Sequence, residues 1–189
     1  MNDGAGADDV LVSAAKRGDS AAFDELVRRH TTKMYRVAFR ILGDSAEAED
    51  AVQEAWVSAW RSLDGFRGES APSTWLYRVV TNAALAQLRR RRPTVPLDTT
   101  DEAVGGLISD PRAVNPEGQA VRAEETALVH RAIATLEPSQ RVPLVLRELE
   151  GMSYEEISEV LGVNEAALRS RLHRARTTLL VRLKEMHDG

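Results

Sequence analysis

The chain has no cysteine, so disulfide frames, thiolate zinc sites and thiol nucleophiles are excluded. Four scattered histidines show no metal-ligand spacing, and no metal or cofactor is expected. No apolar run approaches the ~18 residues of a membrane span. The start, Met1 to Asp9, is small and acidic and lacks a charged-then-apolar leader, so a cytoplasmic location is expected. Alternating strand patterns, phosphate-binding glycine loops and nucleophile motifs are likewise missing, which leaves an enzyme reading without support. A formal charge of -4 excludes a uniformly basic coat, so any affinity for nucleic acid must come from local patches.

Such patches exist in the 189 residues. Arg89 to Arg92 are consecutive, and Arg169 to Lys184 carries six cations and no acid, whereas Asp44 to Glu54 carries five acids and no base. Helical patterns fall at 10–16, 20–42, 45–62 and 73–92, and again at 119–136, 138–149, 153–161 and 164–186. Between them, residues 93–118 hold Pro93, Pro96, Pro111, Pro116, Gly105 and Gly106, with five acids against one base. This composition reads as a flexible acidic linker. The expected fold is therefore all-α: two small helical domains, 10–92 and 119–186, the second ending in a helix-turn-helix.

That motif is the most specific local signal. A short helix with Ile157, Val160 and Leu161 meets Gly162, and a second, arginine-rich helix follows. At about 100° per residue, Leu168, Leu172, Ala175, Leu179 and Leu183 form one stripe, expected to pack on the preceding helix. Opposite lie Ser170, His173, Arg174 and Thr177, flanked by Arg169 and Arg171, a face of donors and cations suited to base edges and phosphates. A solvated basic face would produce the same charge pattern; the turn and preceding helix favour DNA.

In the first domain, Gly68 and Pro72 mark a loop, and a helix runs from it into the four arginines. Trp75 and Tyr77 sit about 200° apart on that helix, too far round to share one seam. One of the two rings is expected to be free to stack on an unpaired base. Two core rings are the plainer alternative.

Four blocks in order resemble the extracytoplasmic-function group of bacterial sigma factors: Glu49 to Trp56, Phe66 to Asn82, Leu136 to Ile157, and Leu168 to Arg176. The resemblance implies a dissociable subunit of core RNA polymerase, with promoter DNA as second partner and an anti-sigma protein as a possible third. The first domain would bind the polymerase clamp through Asp50, Gln53 and Glu54 and melt the downstream, minus-ten element. In that role Arg67, Gly68, Glu69 and Ser70 belong to the loop that takes a flipped base, with Trp75, Tyr77, Asn82, Arg89 and Arg90 beside the melted strand. The second domain would read the upstream, minus-thirty-five element through Arg169, Ser170, Arg171, His173, Arg174 and Thr177.

Departures from the family pattern are Ala166-Ala167 where Gly-Thr is common, and Pro72-Ser73 where an aromatic and a cation are common. Pro143, a few residues into a predicted helix, removes a backbone donor and would kink that helix unless it lies within the first turn. Two rival readings are a helix-turn-helix regulator acting without polymerase and a helical adaptor that binds protein alone. The first leaves the Trp75 region and the acidic segment without a role.

Overall fold

The computed structural model describes residues 3–91 and 126–188, and the linker predicted for 93–118 lies outside them. Among the described residues there are helices and no strands. The first bundle comprises α1 (Asp3–Lys16), α2 (Ser20–Leu42), α3 (Ser45–Ser62), a 3₁₀ turn (Leu63–Gly65) and α4 (Pro72–Arg90). The second comprises α5 (126–134), α6 (Pro138–Leu144) widening into a π-helical turn (Val145–Leu149), α7 (Tyr154–Leu161) and α8 (Glu165–Asp188). The two-domain helical architecture is as the sequence predicts.

Helices α2, α3, α7 and α8 each start where a short polar side chain satisfies an orphan amide. Asp19 accepts from the Ala22 amide at 3.2 Å and Asp44 from the Glu47 amide at 2.9 Å. Ser153 and Glu156 form a reciprocal capping box at the head of α7. Asn164, expected inside the last helix, instead caps it by accepting from the Ala167 amide at 2.8 Å. The predicted 10–16 helix extends back to Asp3, and α4 opens on Pro72 at its first turn, where the missing amide costs nothing.

The first bundle closes around alanine as much as around large residues. Ala48, Ala51, Ala55 and Ala59 of α3 are fully buried against Leu26, Val37, Ala38 and Ile41 of α2 and against Leu76 and Val80 of α4. Small residues at these spacings let three helices approach closely, leaving the acidic face of α3 outward. Helix α1 is fastened by polar contacts: Asp8 lies 2.7 Å from His30 Nε2 and 3.2 Å from Arg29, and Lys16 donates to the Phe66 carbonyl at 2.7 Å.

The helix-turn-helix forms at Gly162, whose φ of 63° would strain any residue with a Cβ. Leu168, Leu172 and Ala175 are fully buried, as the stripe predicts. Beyond them the stripe weakens: Leu179 still packs against the core, though only partly buried. Leu180 and Val181 are 69% and 52% exposed, and Leu179 and Leu183 are only half-buried. The 24 residues of α8 outrun α6 and α7, which have 7 and 8, so its last turns extend past these two helices. Pro143 lies beyond the first turn of α6 and is followed at once by the π-helical turn, which accommodates the lost donor.

Candidate nucleic-acid and polymerase interface

Along α8, the predicted reading face is outward. Arg169, Ser170, His173, Arg174 and Thr177 are exposed and Arg171 is half-buried. The face is not uniformly available. Arg169 pairs with Glu165 at 3.0 Å and its guanidinium also lies 5.4 Å from the Tyr154 ring centroid; Arg147 stacks on the same ring at 5.0 Å. Thr177 donates its hydroxyl to the His173 carbonyl, and Arg176 pairs with Glu148 at 2.6 Å. Arg171, Arg174 and Lys184 have no ion-pair partner among the described residues, and the first two of these lie on the predicted reading face.

The basic end of α4 behaves differently. Arg90 pairs with Glu54 at 2.7 Å, and Arg91 holds Glu47 while donating to the Leu42 carbonyl at 2.7 Å. Charges segregated along the sequence are thus paired in space. Glu54 and Arg90, expected to face different partners, face each other here. Both are well exposed, and such a pair is worth about 0–1 kcal/mol, so it opens readily.

Between α3 and α4 runs a cleft of about 430 Å³ lined by Glu54, Ser58, Ser62, Trp75, Arg78, Val79, Asn82 and Ala83. Trp75 and Asn82 both line it; of the predicted loop residues, none of which lines it, Arg67, Gly68 and Glu69 are exposed and Ser70 is half-buried. Ser58, Ser62 and Arg78 were not singled out from the sequence. Their signal was available: Ser58 and Ser62 are polar i,i+4 neighbours on α3, and Arg78 lies inside the matched block.

Neither predicted aromatic is free. Trp75 is 5% exposed and packs on Phe66 with centroids 5.1 Å apart, so the expectation of an available ring does not hold for it. Tyr77 does leave the core of its own bundle, but it meets the second one, its hydroxyl 3.4 Å from the Glu150 carboxylate. Burial, and then the Glu150 charge, pushes the Tyr77 phenol up from its ordinary value.

The outer face of α3 carries Asp50, Gln53 and Glu54 in the open, next to Val57 and Trp60, which are 50% and 49% exposed. Trp60 is held edge-on by Phe23 at 4.8 Å. A shallow depression of about 550 Å³ bounded by Gln53, Glu54, Val57, Ser58, Arg61 and Ser62 completes this surface. An acidic ridge beside exposed apolar groups is a protein-docking surface in kind. Among the described residues no cluster could hold a metal, and no helix is long and apolar enough to cross a membrane.

Two helical domains, one with a helix-turn-helix and one with an acidic docking ridge beside an aromatic cleft, define a DNA-binding transcription factor with a protein partner. Residues 26–94 match the model of sigma-70 region 2, and residues 126–179 match that of sigma-70 region 4. The chain is 40% identical over 176 residues to the RNA polymerase sigma-H factor of Pseudomonas aeruginosa, covering 91% of each. It is 38% identical over 178 residues to the ECF RNA polymerase sigma-E factor of Escherichia coli K12, covering 91% of this chain and 92% of that one. Among solved structures, CnrH in complex with the cytosolic domain of CnrY aligns with a TM-score of 0.68 at 26% identity, over 95% of this chain and 98% of that one. The sigma factor RpoE in complex with the anti-sigma factor NepR from Bartonella quintana shares the fold, with a TM-score of 0.65 at 23% identity over 86% and 96%. The chain belongs to the extracytoplasmic-function group of the sigma-70 family: it is an alternative sigma factor that directs transcription initiation by RNA polymerase.

Proposed function

We propose a division of labour within this activity. Residues 10–92 dock on the polymerase clamp and open the minus-ten element, and residues 119–186 read the minus-thirty-five element as duplex. The chain lends specificity and has no catalytic step of its own, and it works in the cytoplasm. An anti-sigma protein is an expected regulator, by analogy with the RpoE–NepR complex.

The observation that carries this reading is the separation of three chemically distinct surfaces. Asp50, Gln53 and Glu54 project from α3 beside Val57 and Trp60, a combination of steering charge and burying apolar area suited to a basic protein helix. Trp75, Arg78 and Asn82 line a cleft between α3 and α4, Arg67, Gly68, Glu69 and Ser70 follow Phe66, which packs on Trp75, and Arg90, next to Arg89, pairs with Glu54 of the same lining, so a base and its phosphates have partners on one side of the bundle. Ser170, His173 and Arg174 face outward from α8 with Arg171 at the edge, giving base contacts from the centre and phosphate contacts from the flank.

Run-off transcription with core polymerase and a genomic fragment library tests the whole scheme. Discrete start sites that depend on the chain are expected, and their shared upstream sequence supplies the duplex probe for α8. Transcripts no more specific than those of core polymerase alone would refute it.

A further inference from the structure

One set of long-range polar contacts lies in the seam between the two bundles, where Glu150 accepts from Arg36 and Arg40 and meets the Tyr77 hydroxyl. A second set runs inside the first bundle, along α1, and ends at the loop proposed to take the flipped base. Near the head of α1, Asp8 is buried against His30 and Arg29 of α2, and farther along Val12 and Ala15 lie in the core. The helix is therefore fixed before it reaches its last residue, Lys16. From there the Lys16 ammonium donates to the Phe66 carbonyl, 2.7 Å away and 50 positions on. Lys16 has no ion-pair partner among the described residues, so a neutral carbonyl is where its charge is placed.

Phe66 is the near anchor of the loop. Its amide donates to the Leu63 carbonyl at 3.1 Å, its ring packs on Trp75, and its carbonyl takes Lys16. At the far end, the Ala71 carbonyl accepts from the Trp75 amide at 3.1 Å and Pro72 is buried. Between the anchors, Arg67, Gly68, Glu69 and Ser70 make no hydrogen bond among the described residues. Gly68, at φ 74°, has open space where a side chain would stand. The course of such a loop is set at its ends. A peptide unit is planar, so the bond that holds the Phe66 carbonyl also fixes the Arg67 amide and the direction in which the chain enters the loop.

Given the role proposed above for residues 67–70, on which this rests, we infer that Lys16 is a positioning residue for strand opening, which presets the loop entrance through Phe66 without itself touching DNA. A loop that must be ordered at the moment of capture loses conformational entropy that a preset loop has already lost. Releasing the Phe66 carbonyl leaves the Leu63 and Trp75 contacts in place but lets the peptide that follows rotate. The freed base is then held less tightly and told apart from other bases less well, while docking on polymerase and duplex recognition are untouched.

The test uses holoenzyme assembled from core polymerase and the full chain, with Lys16→Met, which keeps the stem and loses the donor, and Lys16→Arg, which keeps a donor. Each is given a duplex promoter from the run-off library and a probe whose downstream element is single-stranded, with every base of that strand varied in turn. We expect Lys16→Met to open the duplex about three- to tenfold more slowly, as loss of a charged hydrogen bond implies, and to lose base preference on the single-stranded probe by a similar factor. Lys16→Arg should restore most of both. Core-polymerase affinity, melting temperature and the salt dependence of the closed complex should stay those of the parent. Parent-like opening and base preference in Lys16→Met would overturn the inference. So would a loss accompanied by a shallower salt dependence, which marks a direct phosphate contact, or by a lowered melting temperature, which marks a role in the fold alone. Arg67→Ala with Glu69→Ala separates the two readings. If that variant loses base preference and Lys16→Met does not, only the positioning role falls; if it keeps the parent's preference, the loop reading falls and the role of Lys16 with it.

Discussion

Arg141, at the head of α6, donates through its Nη1 to the Ile41 carbonyl at the foot of α2, 2.7 Å away and out of reach of solvent. The last carbonyls of a helix have no partners within it, and they carry partial negative charge. Here α2 is capped from outside its own turn by two arginines, Arg141 on Ile41 and Arg91 on Leu42. Burial pushes the Arg141 guanidinium down, helped by the neighbouring Arg91 charge, yet arginine stays cationic, so the carbonyls do the work of counter-ions.

Replacing Arg141 with Met should therefore cost about 2–4 kcal/mol, because three carbonyls lose a charged donor in a dry site. Lysine should recover little of it, since one ammonium cannot copy the planar fork that spans Ile41, Leu136 and Ala134. Urea melts of the three proteins check this; equal midpoints would mean that the carbonyls find water instead.

On α8, Arg174→Ala should weaken upstream-element binding by about 1–3 kcal/mol and relax preference at one base pair. Arg171→Ala should weaken all sequences alike and flatten the salt dependence, as loss of a phosphate contact does. Titration of single-base promoter variants separates the two. A uniform loss for Arg174 would place it on the backbone.

Alanine at Tyr77 or Asn82 should leave polymerase binding intact and reduce permanganate-reactive open complex, with partial rescue on a pre-melted template. The freed base must regain the few kcal/mol spent on unstacking, from a ring or a hydrogen bond. Trp75→Ala should instead unfold the first bundle in part, because the ring is core against Phe66. Thermal melts distinguish the two behaviours.

The seam should also respond to acid. His130 of α5 is held below its ordinary value by burial and then by the Arg40 charge. Since its folded value lies below the unfolded one, its contribution to stability is complete above about pH 6.5 and is lost as pH falls through that range. Its neighbours there are Arg40 on α2 and, through Arg40, Glu150. Melting temperatures at pH 7.5 and 5.5 should differ more for the parent than for His130→Gln; identical differences would remove His130 from the seam.

Local sequence by itself determined the helices and their ends. Periodicity, capping side chains and Gly162 act within a few residues, so the start of α3 at Asp44, the capping box at Ser153 and the turn of the helix-turn-helix were all legible, as was the outward face of Arg174. Arg141, Glu150 and Tyr77 were not. Their meaning depends on partners 100, 110 and 73 positions away, and nothing in a local pattern distinguishes a buried carboxylate with three donors from a solvated one. The same holds for Arg90 and Glu54, read as opposite charges with separate destinations until the packing of α3 on α4 made them neighbours. Backbone geometry and short-range side-chain chemistry chose the elements; only the tertiary structure, by deciding which charges leave water together, chose the pairs.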